Sequence, residues 1–202
     1  MLNRSKVNRI VVISAAGVFI AALMFLLAYG LSNRSSPTGR SGQQLIGSVA
    51  PIVDGELIDG NTFSYPEVDS PVMVINFWAS WCPPCRRETP SFEKLWRGYK
   101  EENVVFLGIN VQDSKEDALR YIDEFDVTFP NLLDSDGNIT VDYGVTGLPV
   151  TFFVASDRKI ISRWVGSISE ERLDNKIKEL IGSSNQSENV LDVDDGYFRA
   201  LK

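Results

Sequence analysis

The chain carries two cysteines and no histidine in 202 residues, and the two stand as Cys82-Pro83-Pro84-Cys85 directly after the apolar run Val72 to Phe77. A run of that length and composition reads as a buried strand. A strand that ends in Cys-x-x-Cys and enters a helix puts the first sulfur at a helix N-terminus, where unpaired N–H groups and the helix dipole favour a thiolate. Cys82 is therefore the candidate nucleophile and Cys85 the candidate resolving thiol. A two-residue link closes a disulfide with little loop entropy and reopens readily to a mixed disulfide. Pro83 and Pro84 lack N–H groups that could otherwise bond the Cys82 sulfur, which predicts moderate thiolate stabilisation and a reducing protein. Two plainer alternatives stand beside this one. A structural disulfide suits an extracytoplasmic chain, although so short a loop staples poorly. Half a zinc site would have to be completed by carboxylates alone.

Two segments carry a resemblance. Phe77-Trp78-Ala79-Ser80-Trp81-Cys82-Pro83-Pro84-Cys85 resembles the active-site motif of the thioredoxin superfamily. Gly144-Val145-Thr146-Gly147-Leu148-Pro149-Val150-Thr151-Phe152-Phe153 resembles the segment that holds that superfamily's cis-proline. Their order, with a strand and a helix between them, is similar to the membrane-tethered TlpA/ResA branch and its cytochrome c maturation relatives, over about Leu45 to Gly182. The resemblance implies an α/β thioredoxin fold: a central mixed sheet flanked by helices, with an N-terminal hairpin and a strand–helix insertion.

The surroundings of this domain follow from apolar and charge patterning. Ile10 to Leu31 gives 22 positions without a charge, long enough to cross about 30 Å of hydrocarbon at about 1.5 Å per residue. Arg4, Lys6 and Arg9 precede it, so residues 1–9 are expected in the cytoplasm, 10–31 as a transmembrane signal-anchor and the body outside the cell membrane. A cleaved signal peptide ending near Ala28-Tyr29-Gly30 is the alternative. Residues 32–44, rich in Ser, Gly, Thr and Arg, read as a flexible tether. The domain is assigned to 45–182, and 183–202 to an acidic, disordered tail. No acid occurs in residues 1–53, so all 27 Asp and Glu lie in the body and its tail. An acidic body excludes nucleic acid as a partner, since phosphate neutralisation needs clustered Lys and Arg.

Within the body, Asp59-Gly60-Asn61 marks a hairpin turn. The helix after Cys82 is expected to run to about Lys100, with Phe92, Leu95, Trp96 and Tyr99 facing the core and Pro90 inside it. Asn103 to Val111 reads as a second buried strand. Ser114 reads as the cap of a helix whose buried stripe is Ala118, Leu119, Ile122 and Phe125. Phe129 to Leu133 suggests a short strand and Asp134 to Asn138 a turn. That turn lacks the twelfth-position glutamate of a calcium loop. Val150 to Ala155 reads as a strand, Lys159 to Val165 as its antiparallel return, and Ser169 to Ile181 as the last helix, burying Leu173, Ile177 and Leu180.

The resemblance extends to individual residues. It implies that a glutamate at Glu88 assists proton transfer, a task that Asn76, placed where other thioredoxins hold a buried aspartate, cannot perform; a plain first-turn helix acid is the alternative. It implies a cis Leu148–Pro149 bond, with the Leu148 backbone free to pair with a bound peptide; the alternative is a trans proline opening the strand. Trp78 is expected to pack, and Trp81 to shield Cys82 and contact substrate. The catalytic candidates are thus Cys82, Cys85 and Glu88, the substrate-binding candidates Trp81, Leu148 and Pro149, with Cys82 and Cys85 forming the disulfide and no metal or cofactor. The function implied is a thiol–disulfide oxidoreductase that reduces disulfides in partner proteins such as apocytochrome c, fed by a transmembrane thiol–disulfide reductase. A disulfide-forming or isomerising enzyme and a non-catalytic peptide-binding module are the other readings. A peroxiredoxin would need Thr-x-x-Cys, which the chain lacks, and a copper carrier of this fold a histidine.

Overall fold

The computed structural model describes residues 4–32, 42–65 and 72–182, with side chains of the first stretch described over 13–29. The tail expected at 183–202 and most of the tether fall outside the described residues. Two units are distinct, Met1–Pro37 and Thr38–Lys202. The first contains one helix, α1 (Arg4–Ser32), whose described side chains, among them Ile13, Phe19, Leu23, Phe25 and Leu27, are exposed. No helix of the described residues is long and apolar enough to cross a membrane; the portion of α1 with described side chains measures about 26 Å at 1.5 Å per residue.

The second unit is built on a five-stranded sheet of order β5-β4-β3-β6-β7: β3 (Val72–Trp78), β4 (Val104–Val111), β5 (Asn131–Asp134), β6 (Val150–Val154) and β7 (Ile160–Val165), with the two-residue strands β1 (Gly55–Glu56) and β2 (Thr62–Phe63) preceding them. β3 pairs in parallel with β4, and β4 with β5. β6 runs antiparallel to both β3 and β7. The helices are α2 (Pro83–Tyr99), α3 (Lys115–Glu124), α4 (Asn138–Asp142) and a last one, α5, over 170–182.

Side chains alternate across the sheet, and the alternation sorts the core in two. Met73, Ile75 and Phe77 join Leu107, Ile109, Tyr143, Val150 and Phe152 on one face. Val72 and Val74 join Phe92, Phe106, Phe153, Leu173, Ile177 and Leu180 on the other, under α2 and α5. Each such large apolar side chain contributes about 2 kcal/mol on burial. The same parity places Asn76 of β3 and Thr151 of β6, which are register partners, on the face that α2 covers. Leu95, Trp96 and Tyr99 of α2 pack half-buried beside Phe92, and α2 continues through Pro90.

Each outer strand of the sheet is met at one end by the chain that leads into it. Gly47 donates to the Ile160 carbonyl and Ile160 to the Ser48 carbonyl, along β7. Leu57 bridges Leu132, and Ile58 donates to the Asn131 carbonyl, along β5. The Asp59-Gly60-Asn61 turn forms as expected, with Asp59 Oδ1 accepting the Asn61 N–H at 2.9 Å and Gly60 at φ 92°.

Two expectations change. In α3, Leu119 is exposed and Tyr121 is buried in its place, because the helix is rotated to stack the Tyr121 ring on Trp78 with centroids 4.3 Å apart. After β5, the turn at 134–138 leads into α4, a helix with no strong propensity in Ile139, Thr140 and Val141. The Asp134 carboxylate supplies what propensity does not, accepting from the Ile139 and Thr140 N–H groups at 3.2 and 2.8 Å.

Candidate active site

Cys82 caps α2. Its backbone is extended, and Pro83 and Pro84 occupy the first helical positions, where a missing N–H costs nothing. The first free donor, the Cys85 N–H, points at Cys82 Sγ at 3.3 Å, and the next, Arg86 N–H, takes the Cys82 carbonyl. One backbone donor on the sulfur is what the paired prolines leave. Cys82 and Cys85 are joined as a disulfide with Cα atoms 5.3 Å apart. The exchange chemistry anticipates an exposed first sulfur, yet in this oxidised state Cys82 is 3% exposed and Cys85 fully buried. The cover comes from packing, since both sit among Ile58, Trp78, Ala79, Ala118 and Tyr121, with Leu148 against them.

The turn that delivers Cys82 is held by the turn after β4. The Asp113 carboxylate accepts the Ser80 N–H at 2.7 Å and the Ser80 hydroxyl at 2.9 Å, and is itself held by Asn110 Nδ2 at 3.1 Å. Trp81, 57% exposed, does not swing freely, because its indole N–H donates to the Gln112 carbonyl at 3.0 Å. Gln112 takes φ 50°, a left-handed backbone unusual for a residue with a side chain. Arg86 folds back over the Tyr121 and Phe125 rings and pairs with Glu124, so its charge is engaged away from the sulfurs.

Glu88 lies one turn beyond Cys85 on α2, a spacing that puts the two on one helix face. It is 2% exposed. Oε1 accepts from Asn76 Nδ2 at 3.0 Å, and Oε2 from the Ile168 N–H at 2.9 Å. Burial disfavours the charged form and pushes its pKa from an ordinary 4.5 to about 7, against the smaller opposing pull of those donors, of Ser167 and of Arg87. A solvated first-turn acid is therefore not what the fold builds; the group is a buried carboxyl able to hold or release a proton near neutrality.

The Leu148–Pro149 bond is cis, and Leu148 packs on the cluster that contains both cysteines. The Pro149 carbonyl accepts from Gly166 at 2.8 Å, so one short segment, 166–168, touches both the proline and Glu88. Trp78, buried, donates through its indole N–H to Asn131 Oδ1 at 2.9 Å. That bond crosses β4 at Gly108, where a Cβ would lie 1.9 Å from Asn131 Oδ1.

Sequence reasoning brought Cys82, Cys85, Glu88, Trp81, Leu148 and Pro149 to attention, and the fold gathers Leu148 with the cysteines and Glu88 one turn from Cys85. It missed Thr151, Asp113, Tyr121 and the Ile168 N–H, which join the site through strand register and loop packing rather than through any local motif. A recess of about 410 Å³ between β1, β5 and α4 is rimmed by Asp54, Glu56, Lys115 and Asp136 and holds no sulfur. Among the described residues no three His, Cys, Asp or Glu side chains are placed to hold a metal ion.

Comparison with known proteins agrees with this geometry. The AhpC/TSA family profile matches residues 46–163. The thiol-disulfide oxidoreductase ResA of Halalkalibacterium halodurans is 30% identical over 142 residues, spanning 70% of this chain and 77% of that protein. The thiol:disulfide interchange protein HelX of Rhodobacter capsulatus is 29% identical over 174 residues, 82% of this chain and 90% of that protein. Among solved structures, a thioredoxin-family thiol:disulfide interchange protein from Chlorobium tepidum TLS superposes with a TM-score of 0.60 at 26% identity, covering 66% of this chain and 95% of that one. The body has a thioredoxin-like α/β fold.

Proposed function

From the premise that this chain belongs to the AhpC/TSA family and is a thiol-disulfide oxidoreductase of the ResA and HelX type, we propose that it reduces disulfides in partner proteins outside the cell membrane. The proposed substrate is the haem-attachment Cys-x-x-Cys of apocytochrome c, as in cytochrome c maturation. The observation that carries the proposal is the Cys82–Cys85 disulfide at the N-terminus of α2 with a buried carboxyl one turn further on.

In the proposed cycle the Cys82 thiolate attacks one sulfur of the substrate disulfide, forming a mixed disulfide and releasing the other sulfur as a thiolate. Glu88 takes the proton from Cys85. The Cys85 thiolate then attacks Cys82 Sγ, which closes the Cys82–Cys85 disulfide and frees the substrate's second thiolate. Two electrons have passed to the substrate, and a transmembrane thiol–disulfide reductase supplies two more to reopen the Cys82–Cys85 disulfide. Trp81, Leu148 and Pro149 form the ledge on which the substrate segment lies. Anchoring by residues 10–31 is supported by the charge-free apolar run, the basic residues before it and the continuous helix Arg4–Ser32.

The test is the reduction potential of the Cys82/Cys85 couple, by equilibration in a thiol buffer while following tryptophan fluorescence. A value near or below about −270 mV is expected of a reductant, and one near about −120 mV would overturn the proposal in favour of a disulfide-forming enzyme.

A further inference from the structure

We propose that Thr151 is a positioning residue for proton uptake at Glu88, its hydroxyl setting which end of the Asn76 amide faces the carboxyl. The inference rests on Glu88 as the proton acceptor proposed above and names a residue through which that acceptor is controlled.

Thr151 is fully buried on β6, directly across the strand pair from Asn76. Asn76 Nδ2 donates in two directions, to Glu88 Oε1 at 3.0 Å and to Thr151 Oγ1 at 3.1 Å. An amide nitrogen has two hydrogens, so both are used. With the hydroxyl accepting, the NH₂ end of Asn76 is held toward Glu88, which favours the carboxylate. A protonated Glu88 has an O–H to give and needs an acceptor. Turning the Asn76 amide end for end presents Oδ1 to it, and Oδ1 has a second lone pair for Thr151. A threonine hydroxyl serves that second arrangement equally, by donating where it previously accepted. Asn76 can thus meet either ionisation state of Glu88, and the Thr151 hydroxyl answers by reversing its own polarity.

Of the remaining neighbours of Glu88, the Ser167 hydroxyl bonds it directly and can donate or accept in turn, while the Ile168 N–H only donates, favouring the carboxylate. Among charged and titratable groups, Arg87 faces it from its own helix and Tyr121 from α3, that phenol held by burial at about 12 and so neutral near pH 7. The thiols of Cys82 and Cys85 join them once the disulfide is reduced. β3 and β6 contribute the neutral groups Asn76 and Thr151.

Thr151→Val keeps the shape and β-branching but removes the hydroxyl. One Asn76 N–H is then left buried and unpaired whenever its NH₂ end faces a charged Glu88, whereas the turned amide that serves a protonated Glu88 loses less. The carboxyl midpoint should therefore rise, by about one pH unit for a single orphaned donor. Thr151→Ser restores the hydroxyl and should restore the midpoint.

The measurement is the infrared carbonyl band of protonated carboxyl between pH 5 and 9 on the full chain in detergent, with the Glu88→Gln spectrum subtracted. Expected are a wild-type midpoint near pH 7, a rise in Thr151→Val matched by a rise in the pH profile of disulfide exchange, and a wild-type midpoint in Thr151→Ser. Thr151→Ala gives the same reading should Val fail to fold at this position. An unmoved midpoint in Thr151→Val, or a serine variant shifted as far as the valine one, overturns the inference. Exchange by Glu88→Gln separates the two claims. A loss of about 100-fold is expected if Glu88 takes the proton; an unchanged exchange profile would defeat that role, while the Thr151 midpoints would still decide how the amide is set.

Discussion

Helix α2 buries two glutamates five positions apart, and they are used in opposite ways. Glu93 is 5% exposed and meets a cation: Arg97 Nε lies 2.6 Å from Oε1, and Thr128 adds its N–H at 2.7 Å and its hydroxyl at 2.6 Å. Those bonds tie α2 to the segment that enters β5, and the carboxylate is a fastener. Glu88 is equally buried, but its bonded partners are an amide, a hydroxyl and a backbone N–H, all neutral. Burial acts on it without a compensating contact charge, and its pKa climbs to about 7. Removal from water raises the Glu88 carboxyl, and no bonded cation offsets it.

The largest effect that would sharpen this contrast is in stability against pH. Because the folded pKa of Glu88 exceeds its ordinary 4.5, the folded state holds a proton between about pH 4.5 and 7 that the unfolded chain has released. Stability contributed by this group is present below pH 4.5 and falls as pH rises through 7, by about 3 kcal/mol in all. Urea unfolding of the oxidised protein at pH 4.5 and 8 should show that loss relative to Glu88→Gln. A wild-type and a Glu88→Gln curve that run parallel would break the comparison.

Next in size is the fastener itself. Glu93→Leu leaves the two Thr128 donors without an acceptor, while Arg97, half exposed, turns to water. A stability loss of about 2 kcal/mol is expected in urea unfolding at pH 7, with the exchange rate per folded molecule unchanged. A Glu93 variant that slowed exchange as Glu88→Gln does would show that the two acids are not separable.

The smallest effect probes charge beyond contact distance. Arg87, exposed on α2, lowers the Glu88 pKa through space. Arg87→Gln should raise the Glu88 carboxyl midpoint by a few tenths of a unit, and the rise should shrink as salt is added.

The parts of the site that could be foreseen are those that a few neighbouring residues define. Cys82-Pro83-Pro84-Cys85 specifies its own helix cap, and Glu88 follows from helical spacing once Cys85 is placed. Leu148–Pro149 was identified by resemblance rather than by any local rule. Thr151 could not be foreseen, since its relation to Asn76 exists only through a pairing of strands 75 positions apart in the chain. Asp113 and Gln112 likewise reach the cysteine turn across 33 and 31 positions, and nothing near them in sequence announces it. Tyr121 was hidden by a near tie: residues 118, 119, 122 and 125 and residues 118, 121, 122 and 125 both describe an apolar stripe, and the stack on Trp78 decides between them. Helix α4 was hidden because the Asp134 carboxylate, rather than its own composition, starts it.

Gly108 sets a limit on how this site can change. The sheet has a window one hydrogen atom wide there, and the Trp78–Asn131 bond passes through it. Any side chain at 108 would have to displace the Asn131 amide, 1.9 Å from its Cβ, and the indole nitrogen at 2.8 Å, and the indole is stacked on Tyr121 beside both sulfurs. A position with no chemistry of its own, on the strand next to the one that leads into the cysteine turn, thereby admits no side chain without disturbing the packing around both sulfurs.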